Sequence, residues 1–447
     1  MKTATHNNTW RILLCILLTI SGTTRADDLI SVYKQALVSD PQYQAALEAH
    51  SAALEIVPQA RSALLPNIGI GGDVSRERFD PRNEGETNYS TNQIYSIGLR
   101  QTIYQRERFI QLSQADNRVM QADAQLIAAQ QDLIVRVARR YFLVLAANDN
   151  IDFVTADKDA ISRTLEQAEQ QFAVGLAPIT DTLEAQARYD IAVSNEINAE
   201  QLLSDAEEAL RELTGELPVA PEILQEDIPL LKPDPVNLDE WVDAANQQNP
   251  LVLAATAATE IAKQEIQVQN SGHYPSLEAT ADYSYLDNTF GGVLPLERND
   301  SSIGLELNIP IYQGGLVSSQ TRQSRYEYNQ AMEELTRQRR ATERQTRDNY
   351  RGVLAGIKRV EALYNAVLSN EKAVQAAEAG FEVGTRAIID VLNAQRDLLE
   401  ARRDYARSRY DYLLDTVELK QAAGTLSSVD LAQVNNWLVE NNYTTTP

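Results

Sequence analysis

The residues best suited to chemistry lie in one short stretch, 380–393, which reads Gly-Phe-Glu-Val-Gly-Thr-Arg-Ala-Ile-Ile-Asp-Val-Leu-Asn. Asp390 and Asn393 are three residues apart and share a face if the segment is helical. Arg386 carries a planar guanidinium that can donate two parallel hydrogen bonds to a carboxylate. A carboxylate can attract a cation and a guanidinium can pair with an acid; none of these groups is an activated nucleophile. Quieter roles stay open: an acid in a first helical turn complements the helix dipole, and an exposed arginine ion pair is worth only about 0–1 kcal/mol. A related stretch, Val174-Gly175-Leu176 followed by Ile179-Thr180-Asp181, occurs earlier. Gly175 and Gly384 can take the positive φ of a helix C-cap. Both stretches therefore read as tips of helical hairpins, the closed end of a conduit.

Catalytic chemistry finds little support. The histidines are His6, His50 and His273, with no His-Glu-x-x-His pair and no phosphate loop. No cofactor or metal is expected, and the chain does not read as an enzyme. Residues 1–26 read as a secretory signal: Lys2 and Arg11 precede the apolar run Ile12 to Ile20, and Ala26 ends it. That run is too short to span a bilayer as a helix. The single cysteine, Cys15, lies inside it and not at the cleavage point, which argues against lipidation. Removing Lys2, Arg11 and Arg25 would leave 37 basic against 63 acidic residues. Such a balance argues against nucleic acid as a partner. It suits a solvated helical surface, or an acidic lumen that favours cations. Beyond residue 26 no apolar stretch reaches about 18 residues, so any membrane crossing must use strands.

These residues are positioned by a duplicated plan. Asp40-Pro41 returns as Asn249-Pro250, Pro66 as Pro275, Gly175 as Gly384, Asp181 as Asp390 and Gly215 as Gly424, each 209 residues on. The expected divisions are 27–230 for the first structural repeat, 231–435 for the second and 436–447 for a C-terminal tail. Each repeat opens with a helix, Pro41 to Leu64 or Pro250 to Ser271, capped by Asp40 or Asn249. Two strands follow, then a helix of about 100 Å, Arg106 to Phe172 or Leu316 to Phe381. After the tip a helix returns, Asp181 to Leu213 or Asp390 to Ala422. Opening and return helices together nearly match the long one, so they are expected to stack end to end beside it.

Near the tips Ile161, Leu165, Ala168 and Phe172 follow coiled-coil spacing, as do Val374, Ala377 and Phe381. Farther back, Leu133, Ile134, Val137, Tyr141 and Leu145 form a wider buried face and predict a thicker equatorial layer. Segment Glu216 to Pro235 and the chain after Gly424 are the material expected to pack there.

The strands Tyr95 to Tyr104, Leu277 to Tyr285 and Ile303 to Ile311 alternate apolar and polar residues, and Ile68, Ile70 and Val74 do so less cleanly. Their length suits tilted transmembrane strands, with polar loops at Asp80 to Asn92 and Asp287 to Asp300. Tyr95, Tyr283, Tyr285 and Phe290 are candidates for interfacial girdles. A soluble sheet with one wet face shows the same alternation. Four strands cannot close a barrel, because about eight are the minimum; three chains would supply twelve.

The motifs Val174-Gly175-Leu176 with Ile179-Thr180-Asp181, Val383-Gly384-Thr385-Arg386 with Ile389-Asp390, and Ile309-Pro310-Ile311-Tyr312-Gln313-Gly314-Gly315 make the chain resemble the TolC family of outer-membrane efflux channels. The resemblance covers essentially all of the chain after residue 26. It implies an α+β membrane protein: a homotrimeric, twelve-stranded transmembrane β-barrel in outer-membrane lipid, continuous with a long twelve-helix periplasmic α-barrel. It also implies docking to a periplasmic adaptor and an inner-membrane efflux or secretion pump. Such a channel passively exports toxic small molecules, with proteins left open.

By the same resemblance, Asp390 and Asn393 stand at the entrance cation ring, where the family carries two aspartates. Arg386 and Asp181 stand at the latch between neighbouring hairpins. Phe381 replaces a tyrosine whose hydroxyl joins that latch, so a weaker latch is expected unless packing compensates. Val174, Gly175, Leu176, Val383, Gly384 and Thr385 match the adaptor-docking tips. A periplasmic coiled-coil scaffold without transport is the alternative.

Overall fold

The computed structural model describes residues 28–80, 88–216, 221–290 and 296–439. The expected signal segment lies outside them, as does the tail beyond residue 439.

The chain runs twice through one plan. The first pass comprises α1 (Leu29–Ser39), α2 (Pro41–Leu54), α3 (Ile56–Ser62), β1 (Asn67–Phe79), β2 (Asn88–Gln105), α4 (Arg106–Ala173), α5 (Ile179–Thr214) and β3 (Ile223–Leu224). The second comprises α6 (Leu238–Gln248), α7 (Pro250–Asn270), β4 (Ser276–Phe290), β5 (Leu296–Asn308), α8 (Leu316–Glu382) and α9 (Ile388–Ala423). It closes with α10 (Ser428–Asn435) and β6 (Leu438–Val439).

Helices α1 and α6 are additions to the plan read from sequence. Asp40 and Asn249 each serve two helices. The Asp40 N–H donates to the Ala36 carbonyl at 2.9 Å, closing α1, while its carboxylate accepts from the Tyr43 N–H at 2.9 Å, opening α2. Asn249 does the same between α6 and α7, donating to Ala245 at 3.1 Å and accepting from Leu251 at 3.0 Å. The first opening helix is not continuous to Leu64. Pro58 has no N–H for the Leu54 carbonyl four residues back, and α2 gives way to α3 at Glu55. Its counterpart α7 contains no internal proline and runs unbroken for 21 residues.

The long helices α4 and α8 contain 68 and 67 residues, about 100 Å each. As expected, return and opening helices both lie along them: α5, α2 and α3 against α4, and α9 and α7 against α8. Helices α7 and α9 also touch α4, joining the two repeats.

The largest core sits at mid-length. Leu133, Ile134, Val137, Tyr141 and Leu145 of α4 are buried there with Leu210, Tyr412, Leu413 and Leu431. Both connecting segments pack on it: β3 pairs with β6, Ile223 opposite Val439 and Leu224 opposite Leu438. The Tyr141 hydroxyl donates to the Glu222 carbonyl at 3.0 Å and the Tyr412 hydroxyl to Leu231 at 3.0 Å. Buried hydroxyls thus find backbone partners in the connecting chain.

Helix α9 approaches α8 over two glycines. A Cβ at Gly352 would lie 3.3 Å from an Asp415 carboxylate oxygen, and one at Gly356 would lie 3.5 Å from the Cβ of Tyr412. Burial, with Glu418 and Asp411 nearby, pushes the Asp415 carboxyl up to about 6, against a weaker opposing pull from Arg359. A raised carboxyl means that the folded chain binds more protons than the unfolded one between about pH 4 and 6, so this contribution falls as pH rises through that window. Asp415→Asn is therefore expected to stabilise the protein at pH 7 by about 1 kcal/mol, allowing for its half-exposure. The gain should vanish near pH 4 in thermal unfolding; a loss of stability at pH 7 would contradict it.

The strands form one antiparallel sheet in the order β1-β2-β4-β5, the repeats meeting where β2 pairs with β4. Register puts Ile70, Ile97 and Tyr283 on one face with Ile68, Leu99, Ala281 and Ile303. The other face carries Arg100, Thr280, Glu278 and Glu306. Tyr95 stacks on Tyr285 with ring centroids 6.5 Å apart; the Phe290 side chain lies outside the described set.

Three sequence expectations change here. Strand pairing continues through Asn88 to Asn92, Asp287 to Phe290 and Leu296 to Asp300, so the loops are shorter than polarity suggested. Backbone pairing needs no apolar side chain, and alternation alone underestimates strand length. A bulge between Thr102 and Tyr104 takes Ile103 out of register and sets Tyr104 opposite Leu277. Strand β5 ends at Asn308, short of Ile309 and Ile311, because Pro310 has no N–H for the ladder. Within the chain β1 and β5 are the sheet's edges. No helix of the described residues is long and apolar enough to cross a membrane.

Candidate functional site at the helix tips

The far ends of the long helices close by the same local chemistry. At the first tip the Val174 N–H reaches the Gln170 carbonyl at 3.3 Å, Gly175 turns at φ 76°, and the Leu176 N–H donates to Gln171 at 2.8 Å. At the second, Gly384 turns at φ 72° and three groups converge on the Gly380 carbonyl. They are the Thr385 N–H at 2.8 Å, the Arg386 N–H at 3.1 Å and the Thr385 hydroxyl at 3.0 Å. Both turns satisfy the carbonyls that a helix end leaves open. They leave Val174, Leu176 and Val383 protruding at 70%, 81% and 74% exposure.

The return helices begin two residues before the acids. Asp390 sits in the first turn of α9 and accepts the Ala387 N–H at 3.2 Å; Asp181 holds the same place in α5, beside the Thr180 hydroxyl at 3.3 Å. The dipole-complementing role of both acids is therefore present. Arg386 lays its aliphatic stem over Gly380: a Cβ there would stand 3.0 Å from Cγ and 3.2 Å from Cδ. Within the chain Arg386 is not brought to Asp181, and its guanidinium has no ion pair among the described residues.

The two hairpins meet through a small cluster. Ile161, Ala168, Ala185 and Ala192 from α4 and α5 pack against Ile388 and Leu392 of α9, with Phe381 and Leu165 partly buried on it. Phe381 thus contributes packing between hairpins. Its repeat counterpart Phe172, expected in the seam, is 44% exposed. Only one copy faces the neighbouring hairpin, because the two repeats are not equivalent within one chain.

One polar contact crosses the same seam, and sequence reading missed it. An Arg188 guanidinium nitrogen donates to the Asn393 side-chain oxygen at 3.1 Å. Arg188 lies three residues after Ala185 and four before Ala192, both buried. Those alanines mark the α5 face that meets α9, the one signal that could have found it. Farther along the hairpins, Lys158 pairs with Glu196 at 2.6 Å and Arg402 with Glu371 at 2.8 Å. His50 contacts Asp123 at 2.6 Å, away from the tips. Among the described residues no three His, Cys, Asp or Glu side chains gather to hold a metal.

Known proteins resemble this chain over most of its length. The family described as "Outer membrane efflux protein" matches residues 32–216 and again 241–425. The second match begins and ends 209 residues after the first, the register of the repeat. Outer membrane protein TolC of Vibrio cholerae is 38% identical over 93% of this chain and 95% of its own length. That of Escherichia coli K12 is 34% identical over 94% of this chain and 86% of its own. The Campylobacter jejuni CmeC outer membrane channel superposes with a TM-score of 0.77 at 15% identity, covering 93% of this chain and 91% of that one.

Proposed function

The chain belongs to the outer membrane efflux protein family, and from that premise we propose that three copies form one passive channel-tunnel. It is an outer-membrane protein that reaches into the periplasm. One observation carries the trimer: a four-stranded sheet with an apolar face and both edges unpaired runs directly into helices of 67 and 68 residues. Four strands cannot enclose a lumen, whereas twelve can. Edge pairing of β1 with β5 of the next copy removes every open edge, as a membrane-spanning sheet requires. The helices continue the conduit and the capped tips form its periplasmic mouth.

Each site residue then has a role. Asp390, three times around the axis, is the acid ring of the entrance, with Asn393 beside it on the same helix face. Arg386 has no ion pair among the described residues of its own chain and latches to Asp181 of the adjacent hairpin across the protomer boundary. Phe381 supplies packing to that closure. The protruding Val174, Leu176 and Val383, turned by Gly175 and Gly384 and braced by Thr385, receive a periplasmic adaptor. The adaptor joins the channel to an inner-membrane pump, which supplies the energy. Exported cargo is toxic small molecules, with proteins left open.

Planar-bilayer recording tests this reading. Arg386→Ser is expected to raise single-channel conductance severalfold, and Asp390→Ala to weaken block by a trivalent cation about tenfold, as expected for losing about 1.4 kcal/mol of attraction. Equal conductance removes the latch; unchanged block removes the ring. A coiled-coil scaffold would yield neither pores nor heat-sensitive trimers extracted from outer membranes by detergent.

A further inference from the structure

We infer that Arg188 is a specificity-determining residue of the periplasmic mouth, placing a positive layer beside the acid ring and lowering cation preference. This rests on the reading of the tips as the mouth. Asp390 and Asn393 lie one turn apart on one face of α9, so whatever holds Asn393 stands beside the ion path. That group is Arg188, whose guanidinium donates to the Asn393 side-chain oxygen at 3.1 Å. The amide partner is neutral, so the bond anchors the guanidinium without cancelling its charge. No carboxylate of the described residues lies within ion-pair distance of Arg188.

The neighbouring charges make the point sharper. Arg396 of α9 is already paired with Asp397 at 2.9 Å. Asp390 is turned back onto the Ala387 N–H, and Asp181 onto the Thr180 hydroxyl. Arg188 sits between the buried Ala185 and Ala192 and is itself half-buried against α9. The alanine cluster therefore holds its stem in place and aims its head at Asn393. With three copies around the axis, a cation passing the Asp390 ring meets three guanidinium groups within the next turn or two. An aspartate at 393 would have paired with Arg188 and neutralised it; asparagine leaves the charge standing.

The test uses the assembled channel in planar bilayers under a potassium chloride gradient, reading reversal potential and block by lanthanum(III). Arg188→Gln is expected to raise the cation-over-anion permeability ratio about fourfold or more. Removing one unit charge about 10 Å from the ion path in water favours a cation about twofold and disfavours an anion about twofold, about a fourfold change in their ratio. Lanthanum block should tighten in the same variant. Arg188→Cys gives a second, folding-independent arm, because the chain's single cysteine, Cys15, lies in the expected signal segment. Treating inserted Arg188→Cys channels with a positively charged thiol reagent should restore the original ratio, and a negatively charged one should raise it further. Unchanged ratio and block in both variants, with Asp390→Ala still shifting them, would overturn the role of Arg188 alone. If Asp390→Ala also changes nothing, the mouth assignment itself falls and this inference with it.

Discussion

Gly424→Ala is expected to be among the most damaging single-methyl changes in the chain, costing about 4 kcal/mol. Gly424 ends α9 at φ 78°, a left-handed conformation that costs a residue with a Cβ about 1–2 kcal/mol. Its added carbon would also stand 2.5 Å from the carbonyl carbon and oxygen of Gln248 and 2.6 Å from the Asn249 Cα. These are backbone atoms at the α6–α7 junction and cannot swing aside as a side chain would, so overpacking adds about 1–3 kcal/mol. The junction is tied down on both sides: the Asn249 amide donates to the Ala422 carbonyl at 2.9 Å, and Gln131 donates to the Gly424 and Leu426 carbonyls at 3.0 and 3.1 Å.

The repeat provides the control. Gly215 ends α5 at the same φ of 78°, but a Cβ there would meet only the Ser39 side chain at 3.8 Å. Gly215→Ala should cost about 1 kcal/mol, the conformational penalty alone. Heating the purified protein and scoring the temperature of unfolding would compare the two. Because such unfolding is rate-limited, a common scan rate is needed. Equal shifts for both variants would show that the close approach to Gln248 is unimportant.

Arg136→Met is expected to destabilise the equatorial layer by about 3 kcal/mol at neutral pH. Arg136 makes a bidentate contact to Asp40 at 3.0 and 2.7 Å and another bond to Asp132 at 2.7 Å. Burial pushes the Asp40 carboxyl up, but the hydrogen bonds from Arg136 and from the Tyr43 and Gln42 backbone outweigh it and hold it below the usual carboxylate range. A depressed carboxyl contributes stability above its unfolded value and loses it as pH falls through the folded one. In the variant the buried carboxylate, at 4% side-chain exposure, has lost its cation, so its pKa rises and the penalty is relieved by acid. The difference between wild type and Arg136→Met should therefore shrink toward pH 4.

The second repeat indicates the rescue. Asn249 and Gln345 occupy the places of Asp40 and Arg136, and Asn249 caps α7 without a charge. Asp40→Asn in the Arg136→Gln background should recover most of the loss while keeping the cap. Failure of that pair to recover stability would mean that the ion pair contributes more than cancellation of a buried charge.

Much of the architecture was legible in the chain because its signals are local. Helix tips show in Gly175 and Gly384, where backbone sterics demand glycine. Opening helices show in Asp40-Pro41 and Asn249-Pro250, and strands show in period-two alternation. The 209-residue repeat exposed the plan, since insertions did not disturb its helical register. Local signals also erred in local ways. Polar strand ends were read as loops, and Pro58 and the Thr102–Tyr104 bulge each broke an element that the pattern ran through.

What only the tertiary structure decided are contacts between segments far apart in sequence. The β2–β4 pairing joins the repeats, β6 returns to β3, and Asp40 takes Arg136 as its partner from 96 residues away. Nothing in a one-dimensional pattern says which faces of two helices will meet. That is why Phe381 enters the inter-hairpin cluster while Phe172 does not, and why Arg188 emerges as the partner of Asn393 across 205 residues. The sequence by itself determined two glycine-capped helix tips, each followed by an acid in the first turn of the next helix. Packing of α5 on α9 decided that Arg188 stands beside Asn393.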